Sequence, residues 1–339
     1  MTVDLRSDTV TKPTPAMRAC MASAEVGDDV FGEDPSVNDL EHRAAALFGM
    51  DSALFCPSGT MTNQIAIKSH TEAGDEVICD ADSHIYLYEG GGVAFNSGCS
   101  MRLLPGDRGR LTASQVEEAV NNPDDVHKPL SRLVSLENTS NRGGGSCYDW
   151  KEVLAIREVC RAKGLALHLD GARLFNALVA TGQDPKDYGA TFDSISICLS
   201  KGLGAPVGSL LLGGREFIRK ARRIRKVFGG GMRQAGYMAA AGSFALENHV
   251  NRLEEDHRHA RAIAEALEKK DFIGKILPVE TNIVIAETLP PWSPAKFAAR
   301  MKERGVLLLP FSPTRFRMVL HLDVTPDMLD HTIRAVEEL

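Results

Sequence analysis

One lysine stands where a nucleophilic amine could be made. Ile195 to Leu199 is an apolar run that breaks at Ser200 and Lys201, and glycines at 202, 204 and 208 follow directly. Such a pattern reads as a buried strand opening into a tight loop. A lysine at the end of a buried element is partly desolvated, which lowers its pKa and keeps more of it as the free amine that attacks a carbonyl. Taken alone, Ser-Lys-Gly also fits a solvated turn. Upstream, a second apolar run, Leu165 to Leu169, empties into Asp170 and Gly171. A carboxylate and a lysine at the carboxyl ends of two strands converge on one crevice in an open α/β sheet. The pair suits pyridoxal phosphate, whose aldehyde takes a lysine and whose ring nitrogen needs an anion to stay protonated and accept electrons. Asp170 is the candidate anion; capping the next helix is its alternative role.

Three further groups belong with these. Pro57-Ser58-Gly59-Thr60 leads from a short apolar strand into a helix. Free N–H groups at a helix start, beside a glycine that lets an oxygen approach, make Gly59 and Thr60 phosphate candidates, although an ordinary N-cap explains the junction equally well. His84 lies in a polar loop after a strand, suited to stack on a flat cofactor or to move a proton, or simply to a structural histidine. In Arg315 to Leu322, Arg315, Arg317, Val319 and His321 share one face. One arginine facing a cleft could grip a carboxylate with two parallel hydrogen bonds; a solvated edge arginine is the other reading.

The elements that must position these residues alternate. Helical spacing of Leu40, Ala44, Leu47 and Phe48 ends at Gly49, strands are expected at 76–79 and 132–136, and helices at 111–120 and 150–163, the last stopped by Gly164. Strands separated by helices of this length imply an α/β fold with a mostly parallel sheet. Residues 1–33 read as a turn-rich arm rather than a core element, and a helical series from Tyr237 to about Lys270 leads away from the large unit. Beyond it come strand 281–287, a helix from Ser293, strands 305–311 and 315–322, and a helix entered by Thr325-Pro326. The expected division is an arm and large domain over 1–245 and a small α+β domain over 246–339.

Composition narrows the function classes. The 339 residues are 43% hydrophobic and 25% charged, ordinary globular content for one large and one smaller domain. No apolar run reaches the ~20 residues of a spanning helix, and Met1 to Val10 has no signal-peptide pattern, so a cytoplasmic chain with no membrane partner is expected. Seven cysteines without a C-x-x-C pair suggest neither disulfides nor a metal site. A net charge of −6 argues against a nucleic-acid partner. The exception is Arg215 to Arg233, whose cations fit a solvated helix face, a subunit contact or an anion site.

Taken together, the stretches DLRSDTVTKPT, VGDDVFGEDP, CPSGTMTNQIA, DSHIYLYEGGG, ENTSN, LHLDGARLFNA, LSKGLGAPVGS, RKVFGGGMRQAG and HLDVT resemble the threonine aldolases over essentially the whole chain. These are pyridoxal-phosphate enzymes of fold type I, the aspartate-aminotransferase-like fold. The resemblance implies Lys201 as the Schiff-base lysine with Ser200 beside it, Asp170 at the pyridine nitrogen, Arg173 next to the cofactor, Gly59 and Thr60 at the phosphate, and His84 stacked on the ring. It implies that Ser7, Arg173 and Arg317 hold the substrate carboxylate. Lys226 and Arg233 match residues that reach a neighbouring subunit's active site, so a homo-oligomer, a tetramer built as a dimer of dimers, is implied. Where many members carry histidine in the ENTHN motif, this chain has Ser140 near the expected substrate hydroxyl. A serine hydroxyl is a poor base, which turns attention to His84.

The implied reaction cleaves L-threonine, L-allo-threonine and related β-hydroxy-α-amino acids to glycine and an aldehyde, a step of threonine breakdown and glycine formation. The rivals are a β-eliminating lyase or an aminotransferase on the same fold.

Overall fold

A computed structural model describes residues 1–339. Its strands are β1 (Val3–Asp4), β2 (Ser52–Cys56), β3 (Glu76–Asp80), β4 (Ser100–Leu104), β5 (Ser131–Glu137), β6 (Ala166–Gly171), β7 (Ser194–Cys198) and β8 (Ser209–Gly213), followed by β9 (Ile273–Ile276), β10 (Ile283–Thr288), β11 (Val306–Leu307), β12 (Leu309–Pro310) and β13 (Arg315–Val319). A seven-stranded sheet runs in the order β2-β8-β7-β6-β5-β3-β4. From β7 to β4 every neighbouring pair is parallel, and β8 alone runs against both of its neighbours. Strands β3, β7 and β8 are buried along their whole length, as expected for a sheet covered on both faces.

The covering helices begin and end for local reasons. Helix Pro35–Phe48 starts with Pro35 in its first turn and the Asp34 carboxylate accepting from the Val37 N–H, and stops at Gly49 in the left-handed conformation that favours glycine. Its Leu40, Ala44 and Phe48 face the large core. Helix Trp150–Lys163 repeats the design with Asp149 as cap and Gly164 as stop. Helix Gly59–His70 is capped by Ser58, whose hydroxyl accepts from the Met61 N–H.

A second, antiparallel sheet, β12-β13-β10-β9, has its own core around Val284, Phe297, Phe316 and Met318. Here the structure departs from expectation in two places. The strand expected over 305–311 divides between two sheets: β11 pairs in parallel with β1, while β12 pairs with β13. The helical series from Tyr237 breaks into Gly236–Asn248 and Leu253–Glu268, with His249 between them donating from Nδ1 to the Leu203 carbonyl at 2.7 Å. Residues 1–33 are anchored to both cores. Val3 and Leu5 are fully buried in the small core, Met17 is buried in the large one, and Asp8 is buried between them. Those few apolar residues are spaced too widely to register as a periodic element, yet each fills a prepared place.

Candidate active site

The parallel strands deliver acidic and basic groups to one edge of the sheet. Register pairs Glu137 of β5 with Asp170 of β6, and Asp170 with Ser196 of β7. Lys201 follows β7 by three residues. Asp170 is 2% exposed; its Oδ2 accepts from Asn63 Nδ2 at 2.8 Å and its Oδ1 from the Ala172 N–H at 3.1 Å. It does not cap the next helix, where Arg173 occupies the N-cap position. Glu137, beside it, accepts from the backbone N–H groups of Asn141 and His84, both at 2.8 Å. Burial, and then the Asp170 charge, push Glu137 up to about 7.

Two connected chambers lie above this edge, and Thr9, His84 and Lys201 line both. The inner one, about 130 Å³, is completed by Ser58, Gly59, Thr60, Asp170, Cys198 and Ser200. The outer one, about 350 Å³, carries Ser7, Tyr88, Asn141, Arg173, Phe311 and Arg317. The inner chamber fits pyridoxal phosphate. A buried carboxylate and a lysine amine line one small space, and the first N–H groups of helix Gly59–His70, at Gly59 and Thr60, have no intrahelical acceptor. Glycine is required at 59, since a Cβ there would stand 2.5 Å from the Cys198 sulfur.

Arg317 comes from β13, across from the large sheet. Its Nη1 donates to Asn141 Oδ1 at 2.7 Å and its Nη2 to the Arg6 carbonyl at 3.2 Å, and its guanidinium lies 5.4 Å from the centre of the Phe311 ring. Its Nε is buried without a partner. Burial, with the Arg173 charge nearby, lowers it to about 10. No carboxylate of the chain answers this cation. His84 is tied at Nδ1 to Glu89 Oε1, 3.0 Å away. Burial alone would lower its pKa, but the Glu89 hydrogen bond and the charges of Asp170 and Glu89 raise it. With Nδ1–H donating to a carboxylate, Nε2 is the free nitrogen.

Arg173 reaches the outer chamber; its Nε and Nη2 each donate to Asp8 at 2.7 Å, and its Nη1 has no partner within the chain. Burial by itself would raise Asp8, and the Arg173 guanidinium more than reverses this, holding it below the usual carboxylate range. Ser140 does not line either chamber; its hydroxyl accepts from the Gly143 N–H at 3.2 Å, and Asn141 faces the space instead. Room at Ser140 is tight, because a Cβ on Gly109 would come 2.1 Å from its hydroxyl. Lys226 and Arg233 lie away from both chambers: Arg233 pairs with Asp28 at 2.9 Å, and Lys226 borders a basic groove of about 1130 Å³ over helix Arg215–Val227. That groove holds neither Lys201 nor Asp170.

Sequence reasoning missed Asp8, Asn63, Glu89 and Glu137. Glu137 had a usable signal, since it ends a strand as Asp170 does; Glu89 had only its place before three glycines.

A lysine and a buried aspartate at the carboxyl edge of a seven-stranded, mostly parallel sheet, with a small antiparallel unit closing over them, define the class of fold type I pyridoxal-phosphate enzymes. Residues 4–288 match the beta-eliminating lyase family, and the chain belongs to that family and, within it, to the threonine aldolases. It is 44% identical over 330 residues to the low specificity L-threonine aldolase of Escherichia coli K12, covering 96% of each chain. It is 39% identical over 342 residues to low-specificity L-threonine aldolase 1 of Arabidopsis thaliana, covering 99% of this chain and 96% of the relative. Among solved structures, the fold is shared with Leishmania major threonine aldolase at a TM-score of 0.86 and 20% identity, covering 99% of both chains.

Proposed function

We propose that this chain cleaves L-threonine, L-allo-threonine and related β-hydroxy-α-amino acids to glycine and an aldehyde, using pyridoxal phosphate held by Lys201 and Asp170. The observation that carries the reading is Arg317: almost buried, in no ion pair within the chain, and on the wall of the cavity that Lys201 also lines. A desolvated guanidinium without an internal anion suits a ligand carboxylate. The names of the relatives, low-specificity L-threonine aldolases, support the substrate class.

When bound, pyridoxal phosphate supplies an aldehyde for an amine and a ring that accepts the electrons of a bond broken at Cα. The chain does the rest. Gly59 and Thr60 offer N–H groups to the phosphate, with Ser200 beside them, and Asp170 offers an anion to the ring nitrogen. Arg317, with the Ser7 hydroxyl, fixes the substrate carboxylate, and that fixes which bond at Cα stands across the ring plane. His84 stacks and, with Nδ1–H on Glu89, presents Nε2 to take the β-hydroxyl proton; the Glu89 carboxylate stabilises the imidazolium that results. Lys201 is placed to return a proton to Cα.

The same reading includes a homotetramer. The phosphate end of the inner chamber is lined by Ser58, Gly59, Thr60 and Ser200 and has no arginine, a place that Lys226 and Arg233 of a second subunit would suit. Exposed Phe31, Phe95 and Val227 fit burial between subunits. A division near Leu246, with the smaller unit delivering Arg317, and a cytoplasmic location in keeping with seven free thiols complete it. The test is to give purified holoenzyme threonine, allo-threonine, β-phenylserine and serine and to identify the products. Glycine with acetaldehyde or benzaldehyde is expected; pyruvate with ammonia, or a keto acid, would replace the reading by β-elimination or transamination.

A further inference from the structure

Between helix Gly59–His70 and the large sheet lies a polar layer where an α/β fold ordinarily packs apolar side chains. Strand alternation puts His168 and Asp170 of β6 on the same face, and register sets His168 beside Ser194 and Asp170 beside Ser196 of β7. Facing them, Asn63 and His70 stand seven residues apart, two turns, on one side of the helix. Asn63, His168 and Ser194 are buried and His70 is half-buried against the Phe217 ring, whose centroid is 4.6 Å away.

Their hydrogen bonds have one consistent direction, fixed by the carboxylates at the inner end. Asn63 Nδ2 lies 2.8 Å from Asp170 Oδ2 and 2.8 Å from Glu89 Oε1, and two carboxylates use both amide protons. Asn63 Oδ1 is then the acceptor for His168 Nε2, 3.2 Å away, so His168 carries its proton on Nε2. Its bare Nδ1 must accept from the Ser194 hydroxyl at 2.8 Å, and the Ser194 oxygen must accept from His70 Nε2–H, also at 2.8 Å. Burial lowers His168 to about 3 and His70 to about 4, so both rings are neutral, as the chain of donors requires.

We infer that His70, Ser194, His168 and Asn63 form a single directional hydrogen-bond chain that positions the Asp170 and Glu89 carboxylates for the cofactor ring and His84. The inference rests on the reading of Asp170 as partner of the ring nitrogen. Asn63 is the branch point: one amide holds the anion meant for the ring nitrogen and the carboxylate that orients His84. These are positioning residues, acting through Asp170 and Glu89. Ser194 matters because without its hydroxyl, His168 Nδ1 is left as a buried acceptor with no donor, and the ring loses what fixes its tautomer.

Nitrogen-15 NMR of histidine-labelled apoenzyme and holoenzyme reads the chain directly, with His168 assigned by its loss in His168→Gln. The expected pattern is a proton on Nε2 and a bare, hydrogen-bonded Nδ1 from pH 6 to 9 in both forms. A proton on Nδ1, or on both nitrogens, overturns the inference. In Ser194→Ala, the Nδ1 signal should move as its donor is lost, and pyridoxal phosphate titrated into apoenzyme should bind about tenfold more weakly. An unmoved signal, or affinity within twofold of wild type, also overturns it. Should the wild type bind no pyridoxal phosphate at all, the proposed function fails instead, and the apoenzyme tautomer still reports on the chain.

Discussion

Replacing Arg317 by alanine tests the substrate site most directly. In the free protein its guanidinium is anchored by Asn141 and the Arg6 carbonyl and pressed toward Phe311, but it has no anion. A ligand carboxylate would add charge-assisted hydrogen bonds of roughly 1.5–3 kcal/mol each. Two such bonds, less the residual cost of desolvating the carboxylate, come to about 3–4 kcal/mol. At about 1.4 kcal/mol per factor of ten, kcat/KM for threonine should fall by about 10²–10³-fold. Because the carboxylate is held equally before and during bond cleavage, most of the loss should appear in KM. A further loss of up to about tenfold in kcat would reflect looser orientation about Cα. Arg317→Lys keeps the charge without the planar fork and should lose only about tenfold. The assay couples aldehyde release to an NADH-dependent reductase, with glycine affinity measured separately by its perturbation of the cofactor absorbance. Cofactor affinity should stay within threefold of wild type, since Arg317 lines the outer chamber and not the inner one. A KM for threonine within threefold of wild type would refute the carboxylate role.

Lys201→Ala should abolish turnover, and borohydride treatment should fix pyridoxal phosphate covalently to the wild type but not to the variant, as read by intact mass; a labelled variant would remove Lys201 from the scheme. Glu137 gives a pH signature. Its folded pKa, about 7, lies above its ordinary value of 4.5, so across that window the folded chain keeps a proton that the unfolded chain has released. Stability therefore falls as pH rises from about 4.5 to 7, by at most about 3 kcal/mol, and levels above that. Glu137→Gln should remove this slope in denaturant titrations, at the cost of one backbone hydrogen bond at every pH; a wild-type minus variant difference that stays constant from pH 4.5 to 7 would count against a protonated Glu137.

What could be read in the sequence follows the range of the physics involved. Lys201 and Asp170 stood out because each sits at an abrupt local change, an apolar strand meeting a glycine turn, and the helix at Trp150–Lys163 was marked by its glycine stop. Asp8 was invisible because its meaning lies 165 positions away in Arg173, and neither residue carries a local sign of the other. A family role could be carried to the position of Arg173, but not the carboxylate that anchors its guanidinium. Strand β8 follows the glycine loop directly and was not read as an element; its antiparallel pairing with β2 and β7 identifies it. The polar layer beneath the cofactor site lies between these extremes. The seven-residue spacing of Asn63 and His70 and the two-residue spacing of His168 and Asp170 were both in view, but each period gains significance only when helix and sheet are laid against each other. Apolar periodicity announces itself by being buried, whereas a buried polar layer looks like solvent-facing surface until every donor has been matched with its acceptor. Here the matching closes at Asp170 and Glu89, which ties the layer to the candidate site as well as to the core.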